Sequence, residues 1–232
     1  LLLLQIPSGD CLGRFPPTCE LVPRLLRPRY CYNWPECLPV SFVRATYEEP
    51  GMDPLAYRNV PPGTHIPSVV NAIVEIPKGR RNKFEIDKKT GLIRLDRYLY
   101  SSSHYPGDYG FIPQTLAEDG DYLDILVMVN EPTFSGCLIE ARVVGLFKMK
   151  DRGVNDYKVL GVPHTDPLFA EIRRLEDVPQ HYLKEVEHFF ATYKQLEGIV
   201  TETLGWAGPE EATAEVRASV DRYLAQLRES VR

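Results

Sequence analysis

An α+β fold that is mainly β, a small barrel with helices packed against its outside, is the architecture this sequence predicts. Two observations carry that expectation. From Pro61 onward the chain runs as short β-rich segments separated by turns, the spacing that small barrels show. Towards its end the apolar residues change to helical spacing.

The elements follow in order. Residues 72–76 are a β-rich run that Pro77-Lys78-Gly79 breaks, and residues 83–87 alternate polar and apolar as a half-buried strand does. Glu75, Lys83 and Glu85 would then line one cavity. Lys89-Thr90-Gly91 reads as a hairpin turn leading into residues 92–97. A loop rich in Ser, Gly and Pro comes next and contains residues 105–110. Residues 125–129 read as a buried strand, and 138–149 as a long strand-like stretch interrupted near Gly145. A loop at 151–156 precedes a further strand at 157–162. Leu183, Val186, Phe190 and Tyr193 mark one helix; a second starts at Pro209, a favoured first-turn residue, with Ala212, Val216, Val220 and Leu227 on one face. No internal repeat and no second domain is visible.

With 232 residues, 44% of them hydrophobic and 25% charged, the chain suffices for one sizeable domain, or a domain plus an appendage. No apolar run approaches the roughly 20 residues a membrane helix needs, so no membrane partner is expected. Leu1 to Leu4 is too short for a signal-peptide core and lacks a basic segment before it; the expected location is the cytoplasm. A net charge of −5 argues against a protein built to coat nucleic acid.

Residues 1–51 stand apart. They hold four of the five cysteines (Cys11, Cys19, Cys31, Cys37), eight of the twenty prolines and no lysine, with five arginines against five acidic residues. The whole net charge of −5 therefore belongs to residues 52–232. The cysteine gaps do not match the short paired gaps of zinc sites. Residues 1–51 are expected to be an extension, disordered, processed, or translated ahead of a start at Met52, and residues 52–232 the domain proper. The alternative is an organellar presequence: Arg without Lys favours it, whereas Glu20, Glu36, Glu48 and Glu49 oppose it.

The densest chemistry lies in Glu118-Asp119-Gly120-Asp121-Tyr122-Leu123-Asp124. Three aspartates within six residues repel one another unless something cationic sits among them. Carboxylates without neighbouring His or Cys suit a hard cation such as Mg²⁺, and Gly120 permits the tight backbone path. An acidic turn on a solvated surface is the competing reading. A calcium loop of the EF-hand type is set aside, because Leu123, Asp124 and Asn130 fall at its fifth, sixth and twelfth positions.

Around this cluster the strand ends carry two sets of residues. Glu75, Glu85, Asp119, Asp121, Asp124, Asp151 and Asp156 are carboxylates; Lys83, Arg97, Lys158, Lys194, Tyr109 and Tyr193 are cations and phenols. Metal ions facing several Lys and Arg hold a compact polyanion, so the expected ligand is a phosphate ester or anhydride. Taken singly, Lys83 or Arg97 reads as a solvated strand residue and Tyr193 as helix core.

These motifs resemble those of the soluble family I inorganic pyrophosphatases, from about Asn71 to the C-terminal helix. The most specific is the fingerprint Asp-small-Asp-Pro/Glu-apolar-Asp, here residues 119–124. Glu75-Ile76-Pro77, residues 83–87, Asp96-Arg97, residues 105–110, residues 148–151, residues 156–158, His188-Phe189-Phe190 and Tyr193-Lys194 stand around it. The resemblance implies a five-stranded OB-like barrel with flanking C-terminal helices and Mg²⁺-dependent hydrolysis of pyrophosphate to two orthophosphates by a metal-activated water. It implies Asp119, Asp124 and Asp156 as ligands of a tight metal pair, with Asp151, Glu75 and Glu85 supporting further ions. Lys83, Arg97, Tyr109, Lys158, Tyr193 and Lys194 would grip phosphate, and Asp121 would be the general base. It also implies a homo-oligomer, hexameric in the shorter bacterial layout. Tyr122 departs from the fingerprint's Pro or Glu. An OB-type nucleic-acid or partner-binding module and a related nucleotide phosphohydrolase are the alternatives.

Overall fold

β-branched and aliphatic side chains dominate the first strand, and both of its faces are covered. In the computed structural model, which describes residues 56–230, β1 (Val69–Ile76) is buried at every position but Glu75. The expectations placed on residues 1–51 lie outside the described residues. β2 (Asn82–Ile86) and β3 (Ile93–Tyr98) pair as an antiparallel hairpin that forms its own two-stranded sheet. β4 (Asp108–Ile112), β5 (Leu123–Val127), β6 (Leu138–Asp151), β7 (Val154–Asn155), β8 (Lys158–Pro163) and β9 (Thr201–Ala207) join β1 in the main sheet.

The pairings run β1–β4, β4–β5, β5–β8, β8–β6 and β6–β1, so five strands return on themselves as a ring. All are antiparallel except β5–β8. Closing a ring removes free sheet edges. The long strand β6 serves both ends: its first half pairs with β1 and β8, its second half with β9 and β7. Its register slips between Val143 and Gly145, a bulge that bends the strand where an interruption was expected.

Three expectations on the elements need correction. Of residues 105–110, expected inside a loop, Asp108 to Gly110 belong to β4, a strand buried at every position. Residues 201–207, not assigned to any element, form β9. Within the expected loop 151–156, Val154-Asn155 folds back on β6 around a two-residue turn, with Arg152 and Gly153 both at positive φ (51° and 86°), the geometry that tight hairpin turns demand.

Helix α1 (Gln180–Thr192) buries Leu183, Val186, Phe189 and Phe190. Helix α2 (Pro209–Ser230) opens with Pro209, Glu210 and Glu211, a proline suited to the first turn and two carboxylates at the positive end of the dipole. Its buried face is Ala212, Val216 and Ser219; Val220 is half-buried and Leu227 is exposed. The expected face therefore holds only for its first half, since every residue from Leu224 to Ser230 is exposed. Two apolar clusters fill the interior. One joins the barrel wall to α1 through Phe147, Phe189, Phe190 and Tyr193; the other joins it to α2 through Leu146, Ala212 and Val216. No helix among the described residues is long and apolar enough to cross a membrane.

Candidate active site

Alternation of side chains along a strand sends every second residue to one face, and in a small barrel that face converges. Here the ends of β1, β4, β5, β6 and β8 and the inner face of the β2–β3 hairpin meet at a cavity of about 390 Å³. β1 contributes Glu75, the hairpin Lys83 and Glu85, and β4 Tyr109. Asp119, Asp121 and Asp124 come from the turn ahead of β5 and from its start. Asp151 ends β6, Asp156 and Lys158 open β8, and Tyr193 and Lys194 follow α1. Twelve of the thirteen residues expected at the site therefore line one cavity.

Arg97 is the exception. It stands opposite Lys83 in the hairpin register, but its guanidinium donates to Asp96 Oδ2 at 2.5 Å and to Glu197 Oε1 at 3.2 Å, away from the cavity lining. Arg94, Lys88 and Asp87 line the cavity although they were not singled out. A signal for Arg94 existed: once residues 89–91 turn, the pairing sets Arg94 directly across from Glu85.

Inside the cavity the charges are interlocked. Lys158, 2% exposed, donates to Asp124 Oδ2 at 2.5 Å and to Asp156 Oδ1. Tyr109 donates its hydroxyl to the same Asp124 oxygen at 2.5 Å. Lys194 bonds Asp151 Oδ2 at 2.8 Å, and Lys83 bonds Glu85 and, at 3.3 Å, Asp96. Gly120, at φ 89°, takes the left-handed conformation that folds the turn, and Asp119 Oδ1 caps it by accepting from the Asp121 N–H at 3.0 Å.

Burial raises the carboxyl of Glu75 to about 8, against the hydrogen bond it accepts from Ile86 N–H. Burial likewise raises Asp119 and Asp124 above the usual carboxylate range, and the neighbouring Asp156 adds to both. Burial alone would lower Lys158, but Asp124 and Asp156 outweigh it and the ammonium is held above its ordinary value. The tyrosine hydroxyls of Tyr109 and Tyr193 are raised far above theirs, first by burial and then by the adjacent carboxylates. Such a set of strained carboxylates is what a cation relieves.

The fit of a metal ion follows from this donor set. Eight carboxylates line the cavity and no His or Cys does, the oxygen chemistry of Mg²⁺. Asp151 Oδ1 is buried without a hydrogen-bond partner among the described residues. As the side chains stand, no three His, Cys, Asp or Glu among the described residues gather around a single ion position; the Lys158 ammonium lies between Asp124 and Asp156 instead.

Comparison with known proteins agrees with the chemistry. The sequence profile of the inorganic pyrophosphatase family matches residues 72–224. The inorganic pyrophosphatase of Geobacillus stearothermophilus is 51% identical over 158 residues, covering 68% of this chain and 96% of that protein. That of Methanosarcina acetivorans is 53% identical over 156 residues, 67% of this chain and 93% of its own. The crystal structure of the Thermus thermophilus inorganic pyrophosphatase superposes with a TM-score of 0.70 at 45% identity, over 72% of this chain and 98% of that one. The chain belongs to the inorganic pyrophosphatase family.

Proposed function

We propose that this chain is an Mg²⁺-dependent pyrophosphatase that cleaves pyrophosphate into two orthophosphates, with Asp121 as the base. One observation carries the reading: a single cavity of about 390 Å³ sets five cationic side chains against eight carboxylates, the arrangement that holds a compact, highly charged phosphoanhydride together with divalent cations.

Asp119, Asp124 and Asp156 would hold a tight pair of ions, with Asp151, Glu75 and Glu85 supporting others. When bound, Mg²⁺ offsets phosphate charge and acidifies water. For an ion to reach Asp124 and Asp156 together, Lys158 has to give way between them.

The chain's own groups do the rest. Lys83, Lys158 and Lys194 grip phosphate oxygens, and the hydroxyls of Tyr109 and Tyr193 donate to them, fixing the phosphorus for in-line attack. Arg97 joins once it releases Glu197. As the water oxygen bonds to phosphorus, its proton passes to Asp121; the bridging P–O bond breaks and the leaving phosphate keeps the electron pair. The cations stabilise that growing charge more in the transition state than before it.

Purified protein should release phosphate from pyrophosphate with Mg²⁺ and stop on EDTA. Asp121→Asn should lower kcat by about 10²–10⁴-fold with an unchanged melting curve. Absence of phosphate release from pyrophosphate, or faster release from nucleotides, would sink the reading. We further propose a cytoplasmic homo-oligomer, a hexamer by resemblance to the shorter bacterial enzymes; a single-chain mass by light scattering would refute the assembly.

A further inference from the structure

An exposed aspartate has several rotamers of similar energy, yet a base works only when its oxygen is in place. Asp121 has a 60% exposed side chain, but two donors fix it from the same side. The Lys88 ammonium, at 2.6 Å, and the Tyr122 backbone N–H, at 2.7 Å, both reach Oδ1. Oδ2 is thereby the oxygen left to accept a proton.

Lys88 in turn is a long, flexible side chain that something must hold. Its ammonium lies 5.3 Å from the centre of the Tyr122 ring, within cation–π range. Its carbonyl accepts from the Arg58 guanidinium and, at 3.5 Å, from the Tyr57 hydroxyl. The Tyr122 ring stacks on Phe111 at 4.8 Å and 17°, and Tyr57 meets both rings edge-on, at 6.3 and 6.5 Å. Phe111 sits in β4 opposite Asp124, so these contacts tie the barrel wall to the hairpin tip. Tyr57 and Arg58 precede the segment that the family profile matches.

We infer that Lys88, clasped by Tyr57, Arg58 and Tyr122, is a positioning residue that orients the Asp121 carboxylate so that Oδ2 takes the proton. The inference rests on the reading of Asp121 as the base. Its rival is that Lys88 grips phosphate directly.

A double-mutant cycle separates the two. Lys88→Met should lower kcat about tenfold and leave KM within about twofold. In an Asp121→Asn background the same change should alter kcat by less than about twofold, since there is no base left to orient. Lys88→Arg, which keeps a donor within reach of Oδ1, should recover most of the lost kcat. Tyr122→Leu removes the ring while leaving both Lys88 and Asp121, and should reproduce the kcat loss more weakly, about threefold. In crystals of Lys88→Met the Asp121 carboxylate should spread over more than one rotamer. Equal losses in both backgrounds, a rise in KM, or wild-type kcat in Lys88→Met would overturn the inference while leaving the base assignment intact. Wild-type kcat in Asp121→Asn would overturn the base assignment, and the inference with it.

Discussion

Glu75 shows how far a single carboxyl can be displaced by its surroundings. Desolvation raises it from its ordinary value of 4.5 to about 8, although Ile86 N–H donates to it at 2.7 Å. The folded state therefore binds a proton that the unfolded chain has released, over the window from about pH 4.5 to about 8. Stability falls as pH rises through that window, because folding then has to take up a proton that becomes scarcer with each pH unit. Mutation of Glu75 to Gln removes this slope while keeping the shape. In EDTA, raising the pH from 5 to 9 should lower the melting temperature of the wild-type protein more than that of Glu75→Gln, by roughly 10 °C, given about 1.4 kcal/mol for each pH unit of that window and about 2–4 °C per kcal/mol for a chain of this size. Parallel melting curves for the two proteins would show that the carboxyl is not held protonated by burial. The same substitution should slow pyrophosphate hydrolysis, since a neutral amide holds a divalent cation less well than a carboxylate.

At the scale of elements, β4 decides whether the ring closes, and Gly110 decides whether β4 can sit against β1. A Cβ built on Gly110 would lie 1.9 Å from the Ile73 carbonyl oxygen and 2.8 Å from its carbon, a clash with backbone that no side-chain movement relieves. Gly79 has nothing within 4 Å of its would-be Cβ, so its φ of 77° is its only demand, worth roughly 1–2 kcal/mol for an L-residue. Gly110→Ala should thus leave little folded protein, whereas Gly79→Ala should fold and melt only a few degrees lower; circular dichroism on the two variants separates them, and a well-folded Gly110→Ala would mean that β4 does not approach β1 this closely. β4 also marks where the sequence stops being readable. Tyr-Pro-Gly-Asp-Tyr-Gly carries turn residues, and their signal outweighed the short apolar run that follows. Its strand character comes from two neighbours far away in sequence, β1 and β5. β9 was hidden for a similar reason: its burial is uneven and, among the described residues, it pairs only with β6. By contrast β1, the β2–β3 turn and α1 were legible because local pattern and tertiary context agree there. Site residues followed the same division. Most carboxylates on recognisable motifs were found, although Asp87 at the end of the 83–87 motif was passed over; Lys88 reaches the cavity from the turn of the hairpin and Arg94 through its register, and Arg97 is drawn off by Glu197, which lies 100 positions along the chain.

At the scale of the whole molecule, the relation between chain length and fold makes a prediction about residues 1–51. Relatives of this chain are matched over 93–96% of their own length by only 156–158 of its 232 residues, and the family profile ends at residue 224. The ring of strands and the two helices occupy residues 69–230, close to that matched length, and the cavity draws its lining from residues 75 to 194. The clasp on Lys88 reaches back to Tyr57 and Arg58, so a cut must spare them. A chain beginning at Met52 should keep kcat for pyrophosphate within about twofold of the full-length protein and melt within a few degrees of it. A chain beginning at Pro61 keeps every residue of the cavity yet loses Tyr57 and Arg58; it should show a lower kcat with KM little changed, as the Lys88 variants do. Steady-state kinetics on the three lengths, with melting curves as the control for folding, tests both statements together. If the first cut already costs more than about tenfold in kcat, residues 1–51 take part in building the site; if the second cut costs nothing, the clasp does not act on Asp121.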